Sequence, residues 1–134
     1  MTQYLLDADA VIDFFHGIAS TMAMTRDLYR QGDTLCTCDV VIAEAYSGLR
    51  PTDRDRGAEL LASLLFLPTS PEAAAQAGRW RYDFRRLGLQ LTTADCLIAA
   101  IAHEHRATLI TGNTSHFPMP EVELRPLPRL AKSP

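Results

Sequence analysis

Lysine is nearly absent from this chain: Lys132 is the only one among 13 basic residues, so positive charge is carried by arginine. A glycine-rich phosphate loop is missing too, which excludes helicase, kinase and dinucleotide-binding architectures built on one. No apolar run is long enough to span a bilayer. Met1 leads at once into a short apolar stretch that meets Asp7, without the basic start and long apolar middle of a secretory signal. The expectation is a cytoplasmic protein with no membrane partner. Cysteine is scarce: Cys36, Cys38 and Cys96 are odd in number, and Cys36-Thr37-Cys38 lacks the two-residue gap of common zinc sites. They read as reduced thiols, buried as small apolar side chains. No Pro/Gly/Ser-rich stretch or block of like charge divides the chain, so nothing indicates disorder or an internal linker.

What is present is an ordinary globular composition. The 134 residues are 47% hydrophobic with a formal net charge of -3, enough for one core. One domain over 1–125 is expected, followed by a tail, 126–134, in which Pro126, Pro128 and Pro134 oppose regular structure. Short strands are expected at 3–6, 34–37 and 108–111, with a brief extended segment at 66–68 and 121–125 as an edge strand. Helices are expected at 10–16, with Asp9 as N-cap and Gly17 as stop, at 21–30, and from Asp39 to the closing Gly48. Further helices are expected at 51–65, opened by Pro51, at 71–87, opened by Pro71, and at 92–106. Short strands alternating with helices give a three-layer α/β fold with a short, mainly parallel central sheet.

In open α/β sheets, ligands bind beyond the carboxyl ends of the strands. Asp7 stands at one such end and Thr111-Gly112-Asn113 at another. The helix opening near Thr92 aims Asp95 toward the same mouth. Glu44 has apolar sequence neighbours on most sides, where a lone carboxylate is costly unless a cation or hydrogen bonds compensate it. Crowded carboxylates repel one another, and a hard divalent cation such as Mg2+ or Mn2+ offsets that repulsion. Such an ion lowers the pKa of a bound water and holds a phosphodiester for in-line attack, so no nucleophilic side chain is required. Each acid also has a structural role open to it. Asp7 or Asp9 can cap the following helix, Asp95 can close a capping box with Thr92, and Glu44 can pair with an arginine such as Arg50.

Taken together, three stretches resemble the PIN-domain family, and most closely its VapC-type toxins. They are Leu6-Asp7-Ala8-Asp9-Ala10-Val11-Ile12-Asp13, Val41-Ile42-Ala43-Glu44-Ala45-Tyr46-Ser47-Gly48, and Thr93-Ala94-Asp95-Cys96-Leu97-Ile98-Ala99-Ala100 followed by Thr108-Leu109-Ile110-Thr111-Gly112-Asn113. Order, spacing and length agree over nearly the whole chain. The resemblance implies a metal-dependent endoribonuclease with a Mg2+ or Mn2+ site formed by Asp7, Glu44 and Asp95. It further implies a structured RNA substrate such as a transfer or ribosomal RNA, a cognate antitoxin, and a homodimer. Where the family often has an aspartate in the loop after the last core strand, this chain offers Asn113 and His116. The fourth site position lies between them: Asn113 is able to accept a water or phosphate contact, His116 to meet the scissile phosphate or leaving group near neutral pH, and either can equally serve to stabilise the loop.

Arg79, Arg81, Arg85 and Arg86, interleaved with Trp80 and Tyr82, are candidates to grip phosphates and stack on unpaired bases, with a solvated helix face as the alternative. Asp7-Ala8-Asp9-Ala10-Val11 also looks like the opening motif of haloacid-dehalogenase-type phosphotransferases. That architecture needs a later lysine, as does a receiver-like signalling domain, and Lys132 in a proline-rich tail serves neither. The non-enzymatic alternative is a catalytically weak PIN-fold module that binds RNA or protein.

Overall fold

A computed structural model describes residues 1–128, and the remainder of the expected tail, 129–134 with Lys132 and Pro134, lies outside the described residues. The elements are β1 (Gln3–Leu6), α1 (Ala8–Phe15), α2 (Ala19–Arg30), β2 (Thr34–Thr37), α3 (Asp39–Ser47), α4 (Arg54–Ala62), β3 (Leu65–Phe66), α5 (Pro71–Arg86), α6 (Thr93–Glu104), β4 (Thr108–Thr111) and β5 (Leu124–Pro126). The strands form one parallel sheet in the order β3-β2-β1-β4-β5. Parallel crossovers are right-handed, so connections stepping outward to β2 and β3 take one face and the return from β3 to β4 takes the other. Three layers result. β1 thereby becomes the point where the strand order reverses, with Leu5 opposite Leu109 and Leu6 opposite Ile110.

The interior is built on that central pair. Leu5, Leu109 and Ile110 are wholly buried, as are Ile98 and Ile101 of α6. Each such side chain contributes about 1.5–3 kcal/mol of burial. Ala99, Ala100 and Ala102 let α5 approach α6 closely through Ala73, Ala77 and Trp80, all of which are buried. No described helix is long and apolar enough to cross a membrane.

Several boundaries shift by a few residues, and three of the differences have a physical reason. Helix α1 begins at Ala8 with Asp7 as its cap, because Asp7 is extended (φ -66, ψ 162) and its carbonyl already accepts from the Ala10 and Val11 amides. Asp9 therefore lies inside the first turn and is not the N-cap. The stretch opened by Pro51 divides into a short 3-10 turn, Pro51–Asp53, and α4, which stops at Ala62. At the other end, β5 runs to Pro126, and Leu127 donates its amide to the Thr111 carbonyl at 2.9 Å and is buried. The edge strand expected at 121–125 thus starts later and runs one residue further. Proline is tolerated there because β5 is an edge strand whose outer side needs no donor.

Candidate active site

Asp7 is the pivot. The β1–β4 ladder continues one step past Leu6, with the Asp7 amide donating to Ile110 at 2.9 Å, so the residue is fixed at the reversal point before its side chain is considered. One carboxylate oxygen caps α1 by accepting from the Ala8 amide at 2.8 Å. The other accepts the Thr111 hydroxyl at 2.8 Å. Only 6% of Asp7 is exposed. Burial therefore pushes its pKa up, the Thr111 hydrogen bond opposes that rise, and the charges of Asp9 and Asp95 add to it.

Asp9, in the first turn of α1, reaches across the mouth and accepts from the Gly112 amide at 2.8 Å and from Asn113 Nδ2 at 3.2 Å. Thr111 links the two systems, since its hydroxyl also accepts from the Asn113 amide at 3.0 Å. The two strand ends are thus stitched together by Asp7, Asp9 and Thr111. Sequence reading missed the parts of Asp9 and Thr111. The available signal was the Asp-x-Asp spacing at a strand end: once Asp7 takes the cap, Asp9 falls in the first turn, beside the opposite loop.

Asp95 enters from α6. Thr92 caps that helix by accepting from the Asp95 amide at 3.0 Å, but the carboxylate does not return to the cap and instead lies 3.4 Å from His116 Nδ1. Glu44 enters from α3. Its apolar sequence neighbours point away, and the residue itself is exposed, which corrects the expectation of an apolar setting. Its carboxyl nevertheless sits low enough in the mouth for partial desolvation, followed by the charges of Asp7, Asp95 and Asp9, to raise its pKa. Arg50 pairs with Asp53 at 3.0 Å and is not the partner of Glu44. Among the described residues, neither Asp7 nor Glu44 forms an ion pair.

The fold thus gathers Asp7, Asp9, Glu44 and Asp95 near enough to feel one another's charge, with His116 at the rim. Among the described residues, no three carboxylate, imidazole or thiol side chains already converge at metal-binding spacing. The donor set nevertheless fits a hard divalent cation: it is oxygen-rich, and the charges of its neighbours help to raise the pKa of Asp7 and of Glu44.

The arginines fall into different settings. Arg81 donates Nε to the Leu91 carbonyl at 3.1 Å and so braces the turn before α6. Arg79 is exposed and bonded to Gln76, while Arg85 and Arg86 lie 6.0 and 5.9 Å from the exposed Tyr82 ring. Trp80 is buried against His103 and is not available to stack on a base.

Thr111→Val tests the stitching. The change is nearly isosteric but leaves an oxygen of Asp7 and the Asn113 amide without their partner. A loss of about 1–3 kcal/mol is expected, read as a lower urea midpoint at unchanged slope. An unmoved midpoint would show that the hydroxyl carries no stability.

Residues 4–119 match the PIN domain family model. The chain is 32% identical over 122 residues to Ribonuclease VapC10 of Mycobacterium tuberculosis, covering 91% of this chain and 90% of that protein. Among solved structures, it is similar to that of VapBC2 from Rickettsia felis bound to a DNA fragment from their promoter, with a TM-score of 0.79, 21% identity, and coverage of 93% of this chain and 98% of that one. It is also similar to VapC20 of Mycobacterium tuberculosis, described as a sarcin-ricin loop cleaving toxin, at a TM-score of 0.55 and 12% identity over 89% of this chain and 98% of that one.

Proposed function

The chain belongs to the PIN-domain family, and from that membership we propose that it is a Mg2+- or Mn2+-dependent endoribonuclease, the toxin of a VapBC-type toxin–antitoxin pair. Its substrate is a structured RNA, either a transfer RNA or a ribosomal RNA. The observation that carries this reading is the acid cluster at the carboxyl ends of β1 and β4, where Asp7, Glu44 and Asp95 hold charges that no described basic side chain pairs except His116 beside Asp95. VapC10, the relative at 32% identity, is named a ribonuclease.

Asp7, Glu44 and Asp95 would hold the metal, which when bound supplies an activated water and charge stabilisation at the phosphate. The protein's own part is positioning. Thr111 and the α1 amide end fix the Asp7 carboxylate, Asp9 ties the Gly112–Asn113 loop beside it, and Arg81 braces the turn from which Asp95 is aimed. Side-chain nucleophiles have no place in this scheme. Cys36 and Cys38 are buried with thiol pKa values pushed up to about 11, and burial raises that of Cys96 as well, so none is a thiolate at neutral pH.

The antitoxin reading has support in the surface. An apolar furrow runs between α1, α2 and α4, lined by Phe14, Met22, Tyr29, Leu35, Leu60 and Leu64. Tyr29 and Leu65, both exposed, border it. A furrow of this kind suits an amphipathic partner segment. The homodimer rests on family membership alone.

The deciding experiment incubates labelled total RNA with purified protein and Mg2+ or Mn2+, beside EDTA controls and a folded Asp95→Asn variant. Metal-dependent cutting that the variant lacks is the expected result, and the cut species identifies the substrate. RNA left intact by a protein that still binds Mn2+ would favour a binding module.

A further inference from the structure

Asn113 and His116 in the loop after β4 are the two candidates for the fourth site position, and the structure separates their roles. Asn113 is committed to Asp9 through Nδ2, and its amide to Thr111. His116 instead closes a single 3-10 turn, Thr114–His116, whose own amide is bonded to the Asn113 carbonyl at 2.9 Å. Phe117 and Met119, each 2% exposed, anchor that turn in the core, so the imidazole is presented by a fixed backbone. Its Nδ1 lies 3.4 Å from Asp95 Oδ2, while more than half of the side chain (55%) is exposed.

Resting on the metal-dependent reading above, we propose that His116 is a nitrogen ligand of the cation held at Asp95, so that the centre has a mixed oxygen–nitrogen donor set and prefers Mn2+ to Mg2+. Two ligands at right angles around an ion about 2.1 Å from each are separated by about 3.0 Å. The Nδ1–Oδ2 separation falls within a small side-chain adjustment of that value. An imidazole nitrogen at such a distance from a carboxylate oxygen is placed to share an ion with it. Mg2+ takes hard oxygen ligands and water, whereas a first-row transition ion accepts imidazole readily, so the nitrogen shifts selectivity toward Mn2+. The other histidines lie elsewhere: His103 packs at a tilt against Trp80, His105 is bonded to the Pro68 carbonyl, and His16 ends α1.

The test is titration of Mn2+ into the full-length protein, followed by electron spin resonance, with electron spin echo detection of nitrogen coupled to the bound ion. Wild type is expected to show imidazole nitrogen coupling that His116→Gln lacks, with Mn2+ affinity reduced about tenfold or more and Mg2+ affinity changed less. His116→Asp is expected to move the preference toward Mg2+. Bound Mn2+ without nitrogen coupling in wild type, or coupling that persists in His116→Gln, overturns the proposal. If Mn2+ fails to bind wild type, or binds Asp95→Asn equally well, the metal centre itself is refuted and His116 loses its role with it.

Discussion

Asp7→Asn is expected to reduce metal-dependent RNA cleavage by a factor of about a thousand or more, while the metal-free protein stays folded and melts no lower than wild type at neutral pH. The two halves have one cause. Asparagine keeps the shape of aspartate and is as good an N-cap, so α1 retains its start. What disappears is the negative charge at the pivot of the site. Holding and polarising a phosphodiester through a cation supplies several kcal/mol of transition-state stabilisation, and each loss of about 1.4 kcal/mol costs a factor of ten. Metal-free wild type, in contrast, must keep a buried carboxylate beside Asp9 and Asp95, which is why the Asp7 pKa is raised. Removing the charge removes that cost, the usual exchange of stability for activity at a functional site. Single-turnover cleavage rates and melting in EDTA measure both halves. Full activity in the variant would remove Asp7 from the chemistry, and a clearly lower metal-free melting point would show that the carboxylate serves the fold.

The second large effect is on stability. In EDTA, wild type is expected to lose stability as pH rises from about 4, the ordinary aspartate pKa, through the higher folded values of Asp7 and Glu44. A raised folded pKa means that the native state holds its proton more tightly than the unfolded chain. The contribution is therefore fully present below the unfolded pKa and gone above the folded one. Asp7→Asn should flatten this slope. At neutral pH, saturating Mn2+ reverses the loss: at a hundred times its dissociation constant, a ligand that binds only the native state adds about 2.7 kcal/mol. For a domain of this size, that corresponds to roughly 10 °C in melting temperature. A melting curve indifferent to Mn2+ in wild type would remove the metal centre, whatever the RNA assay reports.

How much of this was legible beforehand depends on the distance over which each cause acts. The fourth position of the site shows the boundary. Sequence left Asn113 and His116 as equals because they are three residues apart in one loop. Only the folded loop sends one to Asp9 and the other to Asp95. Arg81 and Trp80 show the same limit. Both read as part of a basic, aromatic face of α5, yet Arg81 braces the Leu91 carbonyl and Trp80 is buried against His103, because which side of α5 meets α6 is decided by packing.

Local chemistry carried the rest. Apolar periodicity, Pro at helix starts and Gly at helix ends marked the elements to within a few residues, since these preferences act over one or two turns. Asp7 at a strand end, Asp95 near a helix start and Glu44 among apolar sequence neighbours were marked as candidates, because a carboxylate in such a sequence setting reads as needing compensation. Tertiary structure decided which carboxylate caps α1, that Glu44 stands exposed at the mouth, and that Asp9 and Thr111 fasten the two strand ends. Those outcomes depend on the crossover that lays β4 beside β1 and brings residues more than a hundred positions apart within hydrogen-bonding reach, as in the 2.8 Å contact between Thr111 and Asp7.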